Sequence, residues 1–283
     1  MKTIPIRKIK EPVFSESFSI RNVENLLSGN DMIQDSHRHT FFLLLVLEKG
    51  KGEHVIDFVA HPVSDYSVFF MRPGQVHKLI LRYGSSGYLI GFTQDFYSTH
   101  GRPLHQVFRK VSKKNYYGLD STSFKRILSP LNSIFHECIE KQENYKEVIK
   151  ANLDVFFIEL LRHSQSSENT LHTTNHYAQE RLEELLELLE QHILAKKQVV
   201  QYASMLHLTT YQLNAICKEM LGKTCSELIN EHIILEAKRH LLGTSSQVNQ
   251  IAYHLGYEDT SYFIRFFKKH TGYSPEMFRQ NVK

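Results

Sequence analysis

The residues with the clearest chemistry lie between positions 259 and 270, where hydroxyl and basic side chains follow an acidic one. A helical period places Ser261, Arg265 and Lys268 on one face, together with Ile264. Asp259 can cap this helix, because its carboxylate can accept a hydrogen bond from a free backbone amide of the first turn. Arginine can bind a guanine edge through two hydrogen bonds, and lysine suits backbone phosphates. The pattern therefore predicts a DNA recognition helix.

The same arrangement occurs twice, with the two predicted recognition helices starting 50 residues apart, near 209 and 259. Each time a short helix carries a small residue, at which a second helix can cross closely, and a tight turn follows. The small residues are Ala203 and Ala252. A long predicted helix from Cys225 to Leu242 joins the two units. If both recognition helices lie on one side of it, they can enter successive major grooves, about 34 Å apart, without dimerisation.

Two segments give this pattern a family resemblance: GKTCSELINEHIILEAKRHLL and VNQIAYHLGYEDTSYFIRFFKKHTGYSPEMFRQ, residues 222–242 and 248–280. They resemble the C-terminal signature of the AraC/XylS family of transcription regulators. The resemblance implies that the chain binds double-stranded DNA, that it acts with RNA polymerase, and that it is more often an activator than a repressor. With the helical faces, it gives these DNA-binding candidates: Thr210, Tyr211, Gln212, Asn214, Lys218, Thr260, Ser261, Tyr262, Arg265, Lys268 and Lys269.

The first unit departs from the family pattern, which often has arginine where this chain has Ala215 and His232. Loss of one bidentate base contact forfeits about 1 to 3 kcal/mol of discrimination. We therefore expect specificity to depend mainly on the second unit, with weaker readout in the first.

Charge alone supports this interpretation only weakly. The net charge is +4, and residues 195–283 contain eleven Lys and Arg against seven Asp and Glu, so the excess lies there. For Lys268 and Lys269 taken alone, the ordinary solvated face of an amphipathic helix is the alternative. A protein-interaction scaffold is a further alternative for the helical module.

Histidines mark the N-terminal half. His37 and His39 stand ahead of a predicted strand and His77 follows a Pro-Gly turn, which resembles the cupin-type β-barrel sensor domain of many such regulators. In metal-binding cupins an HxH pair joins a carboxylate and a later histidine around one metal, but Leu43 and Leu44 stand where that carboxylate is expected. We therefore expect structural or ligand-contacting histidines, and we assign no metal and no cofactor. A metal-dependent cupin enzyme with a helical C-terminal module stays open as the alternative function.

A barrel of this kind can hold a small-molecule effector in an apolar interior with a few polar groups. The candidates for contacting it are His37, His39, Arg72, His77 and Tyr88. Arg72 would suit an anion, although an arginine before Pro-Gly is also typical of a turn surface.

The elements that must position these residues fall into two groups. Short apolar runs between 36 and 92, FFLLLVL, HVIDF, SVFFM, LIL and YLIGF, predict antiparallel strands, with turns at 48–52, 59–62 and 72–75. Two amphipathic helices follow from 123 to 163, and nearly everything after 177 is helical. We predict a multidomain α and β protein: a cupin-like β-barrel with flanking helices at 1–163, a linker at 164–176, and an all-α DNA-binding domain at 177–283.

Composition bounds the remaining expectations. At 283 residues, 41% hydrophobic and 23% charged, the chain is that of a two-domain globular protein. It lacks the roughly 20 consecutive apolar residues of a membrane-spanning helix, so we expect it in the cytoplasm. The three cysteines lack metal-ligand spacing and predict buried thiols. The helices from 123 to 163 can cover the barrel and pair with a second copy, which favours a homodimer.

Overall fold

The computed structural model describes residues 5–7, 17–97, 102–168 and 176–281. Within these ranges the chain forms two compact units, one made of the described residues up to 168 and the other of those from 176 onward. The first is a β unit flanked by helices and the second is entirely α-helical. The predicted fold class is therefore confirmed.

The first unit contains two five-stranded sheets. One has the order β1-β3-β8-β5-β6 and the other β10-β7-β4-β9-β2, and every pair is antiparallel except β1 with β3. The strands are β1 Ile6–Arg7, β2 Phe18–Asn22, β3 Met32–His39, β4 Phe42–Lys49, β5 Gly52–Ile56, β6 Val59–Val63, β7 Ser67–Met71, β8 Val76–Leu81, β9 Ser86–Phe92 and β10 Tyr116–Gly118.

Strand β4 explains how this unit is layered. Because successive side chains of a strand point to opposite faces, Leu43, Leu45 and Leu47 enter the core between the sheets, whereas the alternate residues pack toward the helices. Phe42, Leu44 and Val46 are those alternate residues. Both faces are buried, which is why the sequence here is a continuous apolar run and not an alternating one.

The described residues of this unit form four helices, with the bounds α1 Val23–Leu27, α2 Arg102–Lys113, α3 Ser121–Glu140 and α4 Tyr145–Glu168. The outer face of the second sheet shares one apolar core with α2, α3 and α4. The two predicted helices between 123 and 163 are confirmed as α3 and α4. Asp120 caps α3, since its Oδ1 accepts hydrogen bonds from the backbone amides of Thr122 and Ser123.

Two details of the predicted strands are wrong, and β3 is a strand that the apolar runs do not mark. His37 and His39 precede the strand β4, as predicted, and they also form the end of β3. The predicted strand HVIDF stops at Ile56, because Asp57 and Phe58 have positive φ angles of 45° and 72° and form the turn of a hairpin. The predicted turn at 59–62 is the returning strand β6, which tolerates its proline because it is an edge strand.

In the described part of the second unit, seven helices surround one core. They are α5 His176–His192, α6 Val199–Met205, α7 Thr210–Leu221, α8 Cys225–Gly243, α9 Val248–His254, α10 Thr260–Thr271 and α11 Pro275–Asn281. Residues of α5, such as Leu185 and Leu189, are fully buried in the same core as Phe263 and Phe267 of α10. The module is therefore one folded body and not two separate units on a connecting helix.

Arg279 fastens the last helix to the end of α8. It is buried, and its Nε and Nη2 donate hydrogen bonds to the backbone carbonyls of Leu241 and Ser246, at 2.9 and 2.7 Å. Carbonyls near a helix C-terminus lack partners within the helix, and a guanidinium suits them electrostatically. The arginine therefore completes the joint between α8 and the second repeated unit.

The predicted linker at 164–176 is partly helical. Helix α4 continues to Glu168 and α5 begins at His176, while residues 169–175 lie outside the described residues. The polar Ser/Gln composition of 164–168 does not prevent helix formation, because α4 is already nucleated and each added residue gains a backbone hydrogen bond.

Two further expectations concern the whole chain. All three cysteines, Cys138, Cys217 and Cys225, are buried free thiols, as predicted. Across the part of the chain that the structure describes, none of the helices has both the length and the apolar character needed to cross a membrane.

Gly256 lies in the turn between α9 and α10, where this turn contacts the segment that precedes α6. Its φ is +73°, and a Cβ added here would stand 2.3 Å from the carbonyl oxygen of Leu194. We expect Gly256→Ala to lower the free energy of unfolding by more than 2 kcal/mol, because strain from the positive φ adds to a backbone clash. Denaturant unfolding of the full chain, followed by circular dichroism, measures this.

Gly222→Ala is the matched control, because Gly222 also has a positive φ of +69° but open space around the added Cβ. We expect it to cost only the backbone strain, about 1 kcal/mol. Equal losses in the two variants would contradict the close approach at Gly256.

Candidate nucleic-acid interface and barrel cavity

The two short helices α6 and α9 turn into the following helices in the same way. The amide of Leu208 donates to the carbonyl of Ala203, and the amide of Tyr257 donates to that of Ala252, both at 2.9 Å. Both alanines are buried, so the following helix can cross closely at these points. Each turn contains a residue with positive φ: His207 lies between α6 and α7, and Gly256 lies between α9 and α10. The predicted repeat is therefore present in backbone detail.

The candidate recognition helices α7 and α10 are both 12 residues long and both are capped. Thr209 and Gln212 form a capping box: each side chain accepts a hydrogen bond from the backbone amide of the other. In α10 the carboxylate of Asp259 accepts from the amide of Ser261 at 2.7 Å. The caps fix where each helix begins, and so which side chains stand in its first turn.

Most of the predicted DNA-binding side chains are exposed. In α10 the exposed candidates are Ser261, Tyr262, Arg265, Lys268 and Lys269, while the candidate Thr260 is half-buried. The opposite side of this helix carries the buried Phe263 and Phe267. In α7, Tyr211 is 83% exposed, and Thr210, Gln212 and Lys218 are exposed beside it. In α10, a first turn rich in hydroxyl groups is thus exposed to solvent, and basic residues follow it along the helix.

Asn214 has a different environment from the other candidates. Its Nδ2 donates to the carbonyl of Thr210, and its Oδ1 accepts from the backbone amide of Cys225, both at 3.0 Å. The side chain therefore connects α7 to the first residue of α8. Sequence reasoning placed it on the outer face of the helix, and the helical period carried no signal for this contact between helices.

Lys197 is a positioning residue that the sequence reasoning did not single out. Its Nζ donates to the carbonyl of Leu194 at 3.0 Å and lies 5.2 Å from the ring centroid of Tyr257. Partial burial lowers the pKa of this ammonium group. The segment before α6 is thereby held against the turn between α9 and α10.

A cavity of about 450 Å³ lies inside the β unit. Its polar lining includes Arg7, Arg21, His39, His54 and His77, and its apolar lining comes from strands of both sheets, for example Leu45 and Leu79. The volume is in the range of small-molecule sites. Two arginines at the cavity give it the chemistry to accept an anion.

The histidines chosen from the sequence come together, and the other two candidates do not join them. His37, His39 and His77 are all buried, and each offers a ring nitrogen within 4.8 Å of the others. Arg72 is half-buried and is not part of the cavity lining. Tyr88 lies on the helix-facing side of β9, where its hydroxyl donates to Asn132 of α3 at 2.8 Å. Arg7, Arg21 and His54 were missed because nothing in their local sequence marks them.

The turn before His77 is held by a buried polar network. Gln75 accepts from the backbone amide of Arg72 and donates to Asp57, both at 2.7 Å. Asp57 also accepts from the amide of Val76 at 3.1 Å. These bonds fix the start of β8 and hence the direction of the His77 side chain.

Burial keeps these imidazoles uncharged at neutral pH. Desolvation lowers the pKa values of His39 and His54 to about 3 and lowers those of His37 and His77 as well. Neighbouring histidines and Arg7 act in the same direction for His39 and His77. The lone pairs of these ring nitrogens are therefore available to a ligand.

Two exposed, capped recognition helices in one repeated module define the class of this protein: it is a double helix-turn-helix DNA-binding protein. Residues 202–281 match the family model described as a helix-turn-helix domain. This range includes both sequence segments that resemble the AraC/XylS family, and the chain is a DNA-binding transcription regulator similar to members of that family.

Comparison with known proteins gives relatives along most of the chain. The HTH-type transcriptional activator RhaS of Escherichia coli O157:H7 is 24% identical over 267 residues, covering 86% of this chain and 87% of that protein. RhaS of Enterobacter sp. (strain 638) is 24% identical over 250 residues, with the same coverage.

Among solved structures, unsaturated fatty acid bound ToxT from Vibrio cholerae strain SCE256 has 16% identity and a TM-score of 0.43, covering 96% of this chain and 97% of that one. The C-terminal domain of the response regulator yesN from Fusobacterium nucleatum has 25% identity and a TM-score of 0.32, covering 34% and 93%.

The contacts of Asn214 lead to a prediction about stability. Asn214→Ala leaves the amide of Cys225 without its acceptor, so we expect the free energy of unfolding to fall by about 1 kcal/mol. Denaturant unfolding of the full chain is the measurement. Tyr211→Ala is the control on the same helix, and because that side chain is so exposed we expect a change of less than about 0.5 kcal/mol. Comparable stability of the two variants would contradict the assigned contact.

Proposed function

We propose that this regulator is a transcription activator that reads DNA mainly through α10 and uses α7 mainly to hold the module on the duplex. The observation that carries this is the repeated, capped helix pair within one core, with an exposed face on each second helix. The relatives RhaS, named as transcriptional activators, support activation as the direction of control. Recruitment of RNA polymerase and a cytoplasmic location follow as further parts of the proposal.

The composition of α10 supports its leading role in base readout. Arg265 is exposed one turn into the helix, where it can reach a guanine with two hydrogen bonds. Thr260, Ser261 and Tyr262 lie in the first turn, and Lys268 and Lys269 stand further along, where they suit phosphates. The helix itself, from Thr260 to Thr271, contains no acidic residue to repel the backbone.

In α7 the outward chemistry is weaker. Ala215 presents only a methyl group, and the polar atoms of Asn214 are engaged within the domain. Tyr211, Thr210 and Gln212 remain for contacts near the start of the helix, with Lys218 for a phosphate. Helix α8 joins the two helix-turn-helix units and has 19 residues. At 1.5 Å per residue it is about 28 Å long, which is comparable with one turn of B-DNA.

The cavity of the β unit supports an effector site for a small organic anion. Arg7 and Arg21 supply positive charge, His39 supplies a polar contact, and leucines from both sheets supply the apolar wall. The effector would control DNA binding only by binding one state of the protein better than another. The alternative of a metal-dependent enzyme gains no support from the named relatives, which are transcription regulators.

We also propose that the protein is a homodimer through α3 and α4. Val148 and Val155, seven residues apart and therefore on the same face of α4, are exposed, as is Ile139 on α3. Exposed aliphatic side chains grouped on helices are typical of an association surface.

Arg265 provides the test of base readout. Target sites are first selected from genomic DNA with the purified full chain. We expect Arg265→Ala to reduce affinity for a selected site by about 5- to 150-fold, equivalent to about 1 to 3 kcal/mol, and to affect random DNA much less. Fluorescence anisotropy titration at fixed salt measures both.

Two further variants complete this test. Arg265→Lys keeps the charge but not the two-pronged contact, so we expect it to lose discrimination while retaining most nonspecific binding. Lys150→Ala, on α4 of the β unit, also removes one positive charge and so controls for the effect of net charge on DNA binding. A loss from Arg265→Ala that is equal on selected and random DNA would make Arg265 a phosphate contact and overturn the proposed role.

Dimerisation is tested by sedimentation equilibrium of the full chain at micromolar concentration. We expect a dimer, and we expect Val155→Glu to shift it to monomer, because a carboxylate in an apolar interface carries a desolvation cost. Ile33→Glu, on β3 of the same unit, is the control, since that residue is also exposed but lies away from α4. A monomeric parent protein, or dissociation by the control alone, contradicts this interface.

A further inference from the structure

Three histidines form a compact group on two neighbouring strands of the β unit. His37 and His39 are two residues apart on β3 and therefore share one face, and His37 is directly opposite His77 of β8. Ring centroids are 4.2 Å apart for His37 and His77, 4.8 Å for His37 and His39, and 4.9 Å for His39 and His77. We refer to these three residues as the histidine cluster.

Each residue of the histidine cluster has a buried ring nitrogen that lacks a hydrogen-bond partner. In His37 and His77 this atom is Nε2, and in His39 both ring nitrogens are unpartnered. A buried polar atom without a partner destabilises the folded state, so three neighbouring side chains of this kind are an unfavourable way to fill a core. Their convergence indicates a ligand that accepts nitrogen lone pairs.

The other nitrogens of His37 and His77 are held as in metal sites. Nδ1 of His37 lies 2.8 Å from the carbonyl oxygen of Asp35, so this nitrogen carries the proton and Nε2 carries the lone pair. Nδ1 of His77 lies 2.9 Å from Nε2 of His54, on the adjacent strand β5. When Nδ1 of His77 donates to His54, Nε2 of His77 is likewise free to bind. Metal-bound histidines are usually oriented by such a second hydrogen bond.

We propose that His37, His39 and His77 bind one divalent ion of the late first-row transition metals, with Zn²⁺ as the probe, and that His54 is a positioning residue for His77. Imidazole nitrogens suit zinc, copper, iron and nickel, and are poor ligands for Mg²⁺ or Ca²⁺. The proposal stands apart from DNA binding, since it concerns only the β unit.

Geometry and charge fit a catalytic-type or sensor-type site with an open position. Nitrogens bound to one Zn²⁺ at about 2.0 to 2.1 Å lie roughly 3.4 Å apart, so small side-chain rotations close the present spread of up to 4.8 Å. Three neutral imidazoles leave the ion its full double positive charge. His39 and His77 line the cavity, as do Arg7 and Arg21, so a water molecule or an anion from the cavity is the fourth ligand.

The test uses the untagged full chain, first stripped with a chelator and dialysed. Isothermal titration calorimetry with Zn²⁺, and elemental analysis after gel filtration, should give one tightly bound ion per chain. Replacement by Co²⁺ should give visible absorption bands of nitrogen-coordinated cobalt in the parent protein. These measurements on the unmutated chain do not depend on whether a variant folds.

Variants then locate the ion. His77→Ala and His37→Ala should abolish stoichiometric binding, whereas His61→Ala, on β6 of the same sheet and outside the cluster, should leave it unchanged. His54→Leu removes the acceptor for His77 Nδ1, so we expect about 10- to 100-fold weaker binding, with His54→Gln restoring affinity because its Oε1 can accept the same bond. Circular dichroism and DNA binding of the metal-free variants report whether they are folded.

Failure to retain one equivalent of Zn²⁺ or Co²⁺ would overturn the proposal, as would equal losses in His61→Ala and His77→Ala, since other histidines among the 17 in the chain would then account for the binding. If the stripped protein binds DNA but takes up no Zn²⁺ or Co²⁺ when either ion is added back, the metal site is refuted while the regulator function stays intact.

Discussion

The close crossing of consecutive helices at Ala203 and Ala252 is the constraint on which the DNA-binding module depends. At each alanine a backbone amide five residues further on donates to its carbonyl, and the chain reverses through a residue with positive φ. A larger side chain would push the second helix away from the first and tilt it. The exposed face of each recognition helix is therefore set by a buried methyl group and a turn, and not by any of the residues that would touch DNA.

Much of this module could be predicted from the sequence, because its signals are local. Helical period, small residues at the crossings, cap residues such as Thr209 and Asp259, and glycine at position 256 all act within a few residues of the chain. The caps and both recognition helices appear where the pattern places them. Asn214 could not be assigned in this way, because its decisive contact is with Cys225, eleven residues away on another helix.

The β unit was predictable in class but not in its interior. Strand existence follows from apolar runs, whereas the pairing of β3 with β8 depends on contacts about 40 residues apart in sequence. The turn at Asp57 and Phe58 lacks the usual glycine, so the sequence carries no hairpin signal there and its pattern predicts a turn where β6 lies. The absence of a carboxylate after His39 predicts that no metal binds. His54, however, can orient His77 as a metal ligand, and only the pairing of β5 with β8 brings these two histidines together.

The packing of the turn at Gly256 against Leu194 has a consequence for the spacing of target sites. The segment before α6 contacts the turn between α9 and α10, and the seven described helices of this module share one core. The two recognition helices therefore cannot rotate freely about α8. Two rigidly connected helices demand a fixed helical phase between the base pairs they contact. Inserting about five base pairs between the two contacted stretches would move one of them to the far side of the duplex, which repeats every 10 to 10.5 base pairs.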